Sequence, residues 1–160
     1  MKKILIINGP NINLLGQREV QIYGNQSYKD LVKLCNQTLK SNNLKGKIVQ
    51  TNSESEIIDL IQRARSKYDA IIINPAGYTH TSIAILDSVL SCGLGVIVVH
   101  ISDPDSREEY RKVSYIEDSK GARRYLDKSS SKFDYNETGY IGTIKGYGLD
   151  SYKMAIEFLA

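Results

Sequence analysis

The apolar residues of this chain fall into short unbroken runs and longer spaced stripes, and the two kinds alternate from the N-terminus onward. Lys3 to Ile7 is a run of the first kind. From Ser27 to about Ser41, Leu31, Leu34, Cys35 and Leu39 recur at helical spacing. Ser27 and Asp30 have the form of a capping box with aspartate in the place of glutamate, which predicts where that helix begins. A second pair follows: a strand from Lys47 to Gln50, then a helix towards Lys67 with Ile57, Ile58, Ile61 and Ala64 on one face. A third pair joins the β-branched run Ala70 to Ile73 to a helix carrying Ile83, Leu86, Val89 and Leu90. Val96 to Val99 predicts a fourth strand and Tyr140 to Lys145 a fifth. Tyr152, Ala155, Ile156 and Leu159 then stand at i, i+3, i+4 and i+7 of a last helix.

Strands that are apolar at every residue are covered on both faces, and alternation with amphipathic helices makes the sheet parallel. The expectation is an α/β, flavodoxin-like three-layer sandwich with a five-stranded parallel sheet, in a single domain spanning residues 1–160. Between Glu117 and Gly139 the pattern breaks down. Charged residues cluster, Ser129, Ser130 and Ser131 are low in complexity, and apolar residues are too sparse for a core strand. That stretch is expected to be a surface excursion.

Composition narrows the classes. A chain of 160 residues can bury a core without disulfides or metal. With 41% hydrophobic and 24% charged residues it is neither disordered nor membrane-embedded in composition. The net charge of +3 is spread along the chain, and the excursion balances its acidic and basic residues, so no nucleic-acid footprint stands out. Only Ile4 to Ile7 follow Lys2 and Lys3 before Asn8, too short for a signal-peptide core. Cys35 and Cys92 have no partner at metal or redox spacing. The expected location is the cytoplasm.

In an open parallel sheet, ligands bind beyond the carboxyl ends of the strands, near the point where strand order reverses. The predicted strands end in polar groups there: Asn8 to Asn11, Thr51 and Asn52, Asn74, and His100 to Ser102. Both histidines of the chain, His80 and His100, lie in these segments. Each residue also has a plainer explanation. Asn8 and Asn74 can satisfy turns, His80 can sit at a helix start, and His100 can be a satisfied strand-end side chain. Two histidines without an acidic or cysteine partner at ligand spacing make a poor zinc site. No Gly-x-Ser-x-Gly elbow or Gly-rich phosphate loop occurs, and Gly146 and Gly148 read as a tight turn before the last helix.

Three blocks, in order, resemble the type II dehydroquinases. The first runs from Asn8-Gly9-Pro10-Asn11 to Gly16, with Arg18-Glu19 and Tyr23-Gly24 after it. The second is Tyr78-Thr79-His80-Thr81-Ser82. The third is His100-Ile101-Ser102 with Arg107-Glu108-Glu109-Tyr110-Arg111. The resemblance implies dehydration of 3-dehydroquinate through an enolate, without metal or organic cofactor. It implies Tyr23 as base, Arg18 as the cation that holds its phenolate with Arg107 second, Asn11 as holder of the water that stabilises the enolate, and His100 as acid. Ile101 and Ser102 match the residues that take the substrate carboxylate, and Asn74, His80 and Arg111 those that hold ring hydroxyls. The resemblance further implies a homo-oligomer, a trimer or tetramer of trimers, in which Asp87 reaches a neighbouring site.

The chain departs from the family pattern in places. Val98 stands where glutamate is usual, two residues before His100, which removes a partner for the acid. Asp103 replaces an asparagine, bringing a carboxylate beside the carboxylate-binding loop, and is the nearest residue in sequence that could orient His100 instead. Ala76-Gly77 and Val20 also differ, and the excursion is long. These changes leave room for a second function class, a weakened homologue that binds a cyclic hydroxy acid as a sensor or scaffold.

Overall fold

Five apolar runs form five parallel strands: β1 (Lys3–Asn8), β2 (Lys45–Gln50), β3 (Ala70–Asn74), β4 (Gly95–His100) and β5 (Gly139–Lys145). They are ordered β2-β1-β3-β4-β5 in the computed structural model, which describes residues 1–160. This is the flavodoxin-like order. Every residue of β3 and β4 is buried, because helices cover both faces. Each such Ile or Val side chain contributes about 1.5–3 kcal/mol by leaving water. β2 lies at an edge and is more exposed, which is why its sequence alternates weakly.

Helices α2 (Tyr28–Ser41) and α5 (Asp150–Leu159) pack on one face through Leu31, Cys35 and Leu39, and through Tyr152, Ala155, Ile156 and Leu159. Helices α3 (Glu54–Ala64) and α4 (Ile83–Ser91) pack on the other through Ile57, Ile61 and Ala64, and through Ile85 and Val89. The capping box at α2 is complete: the Asp30 N–H donates to Ser27 Oγ at 3.1 Å, and the Ser27 N–H to Asp30 Oδ2 at 2.9 Å. α4 differs from expectation. Ile85 and Val89 face the sheet, whereas Ile83 and Leu90 point outward, 54% and 52% exposed. A single helical turn, α1 (Val20–Tyr23), precedes α2. Both cysteines are free and buried, and burial pushes the Cys35 thiol up to about 12.

The stretch expected to run over the surface is mostly exposed, but it is anchored at intervals. Ile116 and Glu117 are buried on the α3/α4 side, and Leu126 on the α2/α5 side. Between them the chain crosses the open edge of β5: Thr143 N–H donates to Arg124 O at 2.7 Å, and Leu126 N–H to Thr143 O at 2.8 Å. Phe133 and Tyr135 then pack onto the α2/α5 side, and Tyr135 donates to Leu159 O at 2.6 Å. Two glycines give this strap its seat. A Cβ on Gly142 would lie 2.6 Å from Leu126 Cγ, and one on Gly95 2.5 Å from Phe133 Cζ. The strap therefore closes a sheet edge that would otherwise offer unpaired backbone groups.

Candidate active site

Strand order reverses between β1 and β3, and beyond the carboxyl ends of β1, β3 and β4 lies a cavity of about 160 Å³. Asn11, Arg18, Tyr23, Asn74, His80, His100, Ile101, Ser102, Arg107 and Arg111 all line it. Asp87 does not; it lies on the exposed side of α4. Pro10, Ile12, Ala76, Gly77 and Pro104 also line the wall.

Tyr23 closes α1 and carries its hydroxyl to Arg107, whose Nη1 donates to the phenol oxygen at 2.6 Å. Arg18 lies over the Tyr23 ring, 4.5 Å from its centroid, and pairs with Glu19 at 2.9 Å. The expected order of the two arginines is thus reversed in space: Arg107 serves the oxygen and Arg18 the ring face. Asn11 adopts a left-handed conformation at φ 68°, with its N–H bound to Asn52 Oδ1 at 3.1 Å. Its side-chain amide is left to the cavity wall.

Asn74 is held from both ends. Its Oδ1 accepts from the Ala76 N–H at 3.0 Å, and its Nδ2 donates to the Tyr152 hydroxyl at 2.8 Å. Tyr152 in turn donates to Asn8 Oδ1 at 2.6 Å. Burial pushes the Tyr152 phenol far above its usual range, so it stays protonated and able to donate. The chain Asn74–Tyr152–Asn8 therefore fixes which edge of Asn74 faces the cavity.

His80 Nδ1 lies 2.6 Å from the Val113 carbonyl, an acceptor only, so the proton of the neutral ring is on Nδ1 and Nε2 is an acceptor. Burial lowers the His80 pKa, which favours that neutral ring. His100 is 6% exposed, and its Nε2 meets Glu117 Oε1 at 2.8 Å. Burial alone would raise the Glu117 carboxyl, but the bond and charge of His100 and the hydroxyls of Thr143 and Ser114 hold it below the usual carboxylate range. Glu117 is consequently an acceptor, Nε2 of His100 donates, and Nδ1 is left for the cavity. No cluster of three or more His, Cys, Asp or Glu side chains is arranged to hold a metal ion.

The class II dehydroquinase family model matches residues 2–124 of the chain. The 3-dehydroquinate dehydratase of Phenylobacterium zucineum is 40% identical over 159 residues, covering 99% of this chain and 96% of its own. Catabolic 3-dehydroquinase 1 of Fusarium vanettenii is 41% identical over 155 residues, covering 97% and 94%. The chain belongs to the class II dehydroquinases. Among solved structures, the type II dehydroquinase of Butyrivibrio crossotus superposes with a TM-score of 0.84 at 42% identity, covering 99% of this chain and 97% of that one.

Two departures from the dehydroquinase pattern look different in three dimensions. Asp103 does not orient His100. Its carboxylate accepts from the Asp105 N–H at 3.0 Å and from Lys145 Nζ at 2.8 Å, so it caps a short turn and its charge is paired. Val98 leaves no gap in partnership either, because Glu117 reaches the same ring from the strap. Glu117 and Tyr152 are the residues that sequence reasoning missed. The only signal for Glu117 was an acidic residue beside the isolated apolar Ile116, and for Tyr152 a hydroxyl on the buried stripe of a helix.

Proposed function

We propose that the chain dehydrates 3-dehydroquinate to 3-dehydroshikimate, a step of the shikimate pathway, by anti elimination with Tyr23 as base and His100 as acid. One observation carries the reading: a phenol oxygen held by a guanidinium and an imidazole backed by a buried carboxylate open onto the same small cavity. The Tyr23 phenolate, held by Arg107, removes the proton from the carbon beside the ketone. The electron pair moves onto the ketone oxygen as an enolate, stabilised by a water fixed by the Asn11 amide, a neutral dipole placed where charge develops. The enolate collapses, the bond to the leaving hydroxyl breaks, and His100 Nδ1–H gives that oxygen its proton, releasing water.

Ile101 and Ser102 supply groups for the substrate carboxylate; neither backbone N–H has a partner in the backbone network. Asn74, His80 Nε2 and Arg111 take the ring hydroxyls. In this scheme side chains carry every proton, and neither metal nor organic cofactor takes part. In this reading the enzyme works in the cytoplasm, where free thiols stay reduced, as a trimer or tetramer of trimers in which Asp87 serves a neighbour's cavity. No helix is long and apolar enough to cross a membrane. The weakened-homologue reading rested on Val98 and Asp103, and Glu117 and Lys145 remove both grounds.

The conjugated enone of the product absorbs in the ultraviolet, so turnover is read directly. Tyr23→Phe keeps the ring and removes the base, and is expected to lower kcat by about 100-fold or more. Retention of more than about a tenth of kcat would exclude Tyr23 as the base.

A further inference from the structure

Glu117 is the one buried acidic side chain in the molecule, 3% exposed, and one of its carboxylate oxygens is bonded to His100. Oε1 accepts from His100 Nε2 at 2.8 Å and from Ser114 Oγ at 2.9 Å. Oε2 accepts from Thr143 Oγ1 at 2.9 Å, and the Thr143 hydroxyl also meets the Tyr140 hydroxyl at 2.6 Å. The Glu117 N–H is bound by Ser114 Oγ at 3.2 Å, so Ser114 holds both ends of the residue. A carboxylate removed from water persists only where donors replace its hydration, and here three donors do so.

The carboxylate comes from the strap, whereas His100 ends β4. Val98 lies on the same face of β4 as His100, two residues earlier, with Thr143 of β5 as its cross-strand partner. Glu117 therefore enters over that face from outside the sheet, onto the Thr143 hydroxyl beside Val98, and β4 itself supplies no charge to its own histidine.

We infer that Glu117 is the positioning residue for the acid: it keeps the Nε2 proton in place, turns Nδ1 to the cavity, and provides the counter-charge of the imidazolium. This rests on the assignment of His100 as acid. In the transfer the Nδ1–H bond breaks and its electron pair stays on the ring, while the proton joins the departing hydroxyl to form water. The ring returns to its neutral Nε2–H form, and Glu117 remains a carboxylate throughout. The proton gained by Tyr23 and the one lost by His100 balance through solvent before the next turnover.

Two measurements test the inference. Nitrogen-15 NMR of the wild-type protein, with His100→Gln assigning the resonances of the two histidines, is expected to place the proton of neutral His100 on Nε2. Steady-state kinetics of Glu117→Gln are expected to give a kcat lower by about 10- to 100-fold with KM within about twofold, as when the carboxylate behind a metal-bound histidine is lost. A Glu117→Gln kcat within about twofold of wild type overturns the inference, as does a neutral His100 protonated on Nδ1. Should Glu117→Gln not fold, the wild-type tautomer decides alone. Failure of the underlying reading has its own signature, because His100→Gln retaining more than about a tenth of kcat removes the acid assignment whatever Glu117 does.

Discussion

Arg107 and Arg18 approach one phenol from different directions, and the difference sets their expected weights. A guanidinium that donates to the phenol oxygen acts on the atom that carries the charge, and such a bond to a charged group is worth about 1.5–3 kcal/mol. A guanidinium over the ring face contributes about 0.5–2 kcal/mol. Arg107→Ala is therefore expected to lower kcat by about tenfold or more, and Arg18→Ala by less. Kinetics of both variants at one pH check the order, and a larger loss from Arg18→Ala would return it to the family expectation. Single residues were legible in the sequence where their position alone placed them. Asn11, Asn74, His80 and His100 follow predicted strands or precede a predicted helix, so the rule for parallel sheets located them. Glu117 and Tyr152 escaped because their roles exist only through contacts that no periodicity links. The one pairs with a residue seventeen positions away across a strap; the other joins the ends of β1 and β3 from the last helix.

Among elements, the strands and four of the helices follow from periodicity because each buries a continuous run or stripe. The strap does not, since Ile116, Leu126, Phe133 and Tyr135 anchor it singly. Its seat on the sheet depends instead on what β4 and β5 leave out. Gly142→Ala places a Cβ against Leu126 and is expected to cost about 1–3 kcal/mol in urea unfolding, the usual penalty for overfilling a packed site. Leu126→Ala is expected to cost about 2–5 kcal/mol. In the double variant the overfilled space has been emptied, so the combined loss is expected to fall below the sum of the two. Additive losses would show that strap and strand do not meet at this point. The same strap carries Glu117, so a loosened seat is expected to reduce kcat as well as stability.

At the scale of the whole molecule, one face is left unfinished. Ile83, Asp87 and Leu90 stand at i, i+4 and i+7 of α4 and form an outward stripe, with Val113 and Tyr115 also exposed. Ile83 and Leu90 mark the helix by their spacing, but an apolar helix offers two stripes and periodicity alone cannot say which one meets the sheet. Exposed Ile and Leu flanking an acid suit a buried contact between copies, and a site missing only Asp87 of its expected residues suits a neighbour that supplies it. Light scattering is expected to give a mass about three or about twelve times the 17.9 kDa of one chain. Leu90→Lys puts a charge in the stripe and is expected to shift the mass towards one chain and to lower kcat with it, since a buried unpaired charge costs several kcal/mol. Asp87→Asn in the intact assembly separates the two effects: a reduced kcat at unchanged mass assigns Asp87 to the neighbour's cavity. A wild-type monomer with full activity would leave the stripe without a catalytic consequence and take Asp87 out of the site.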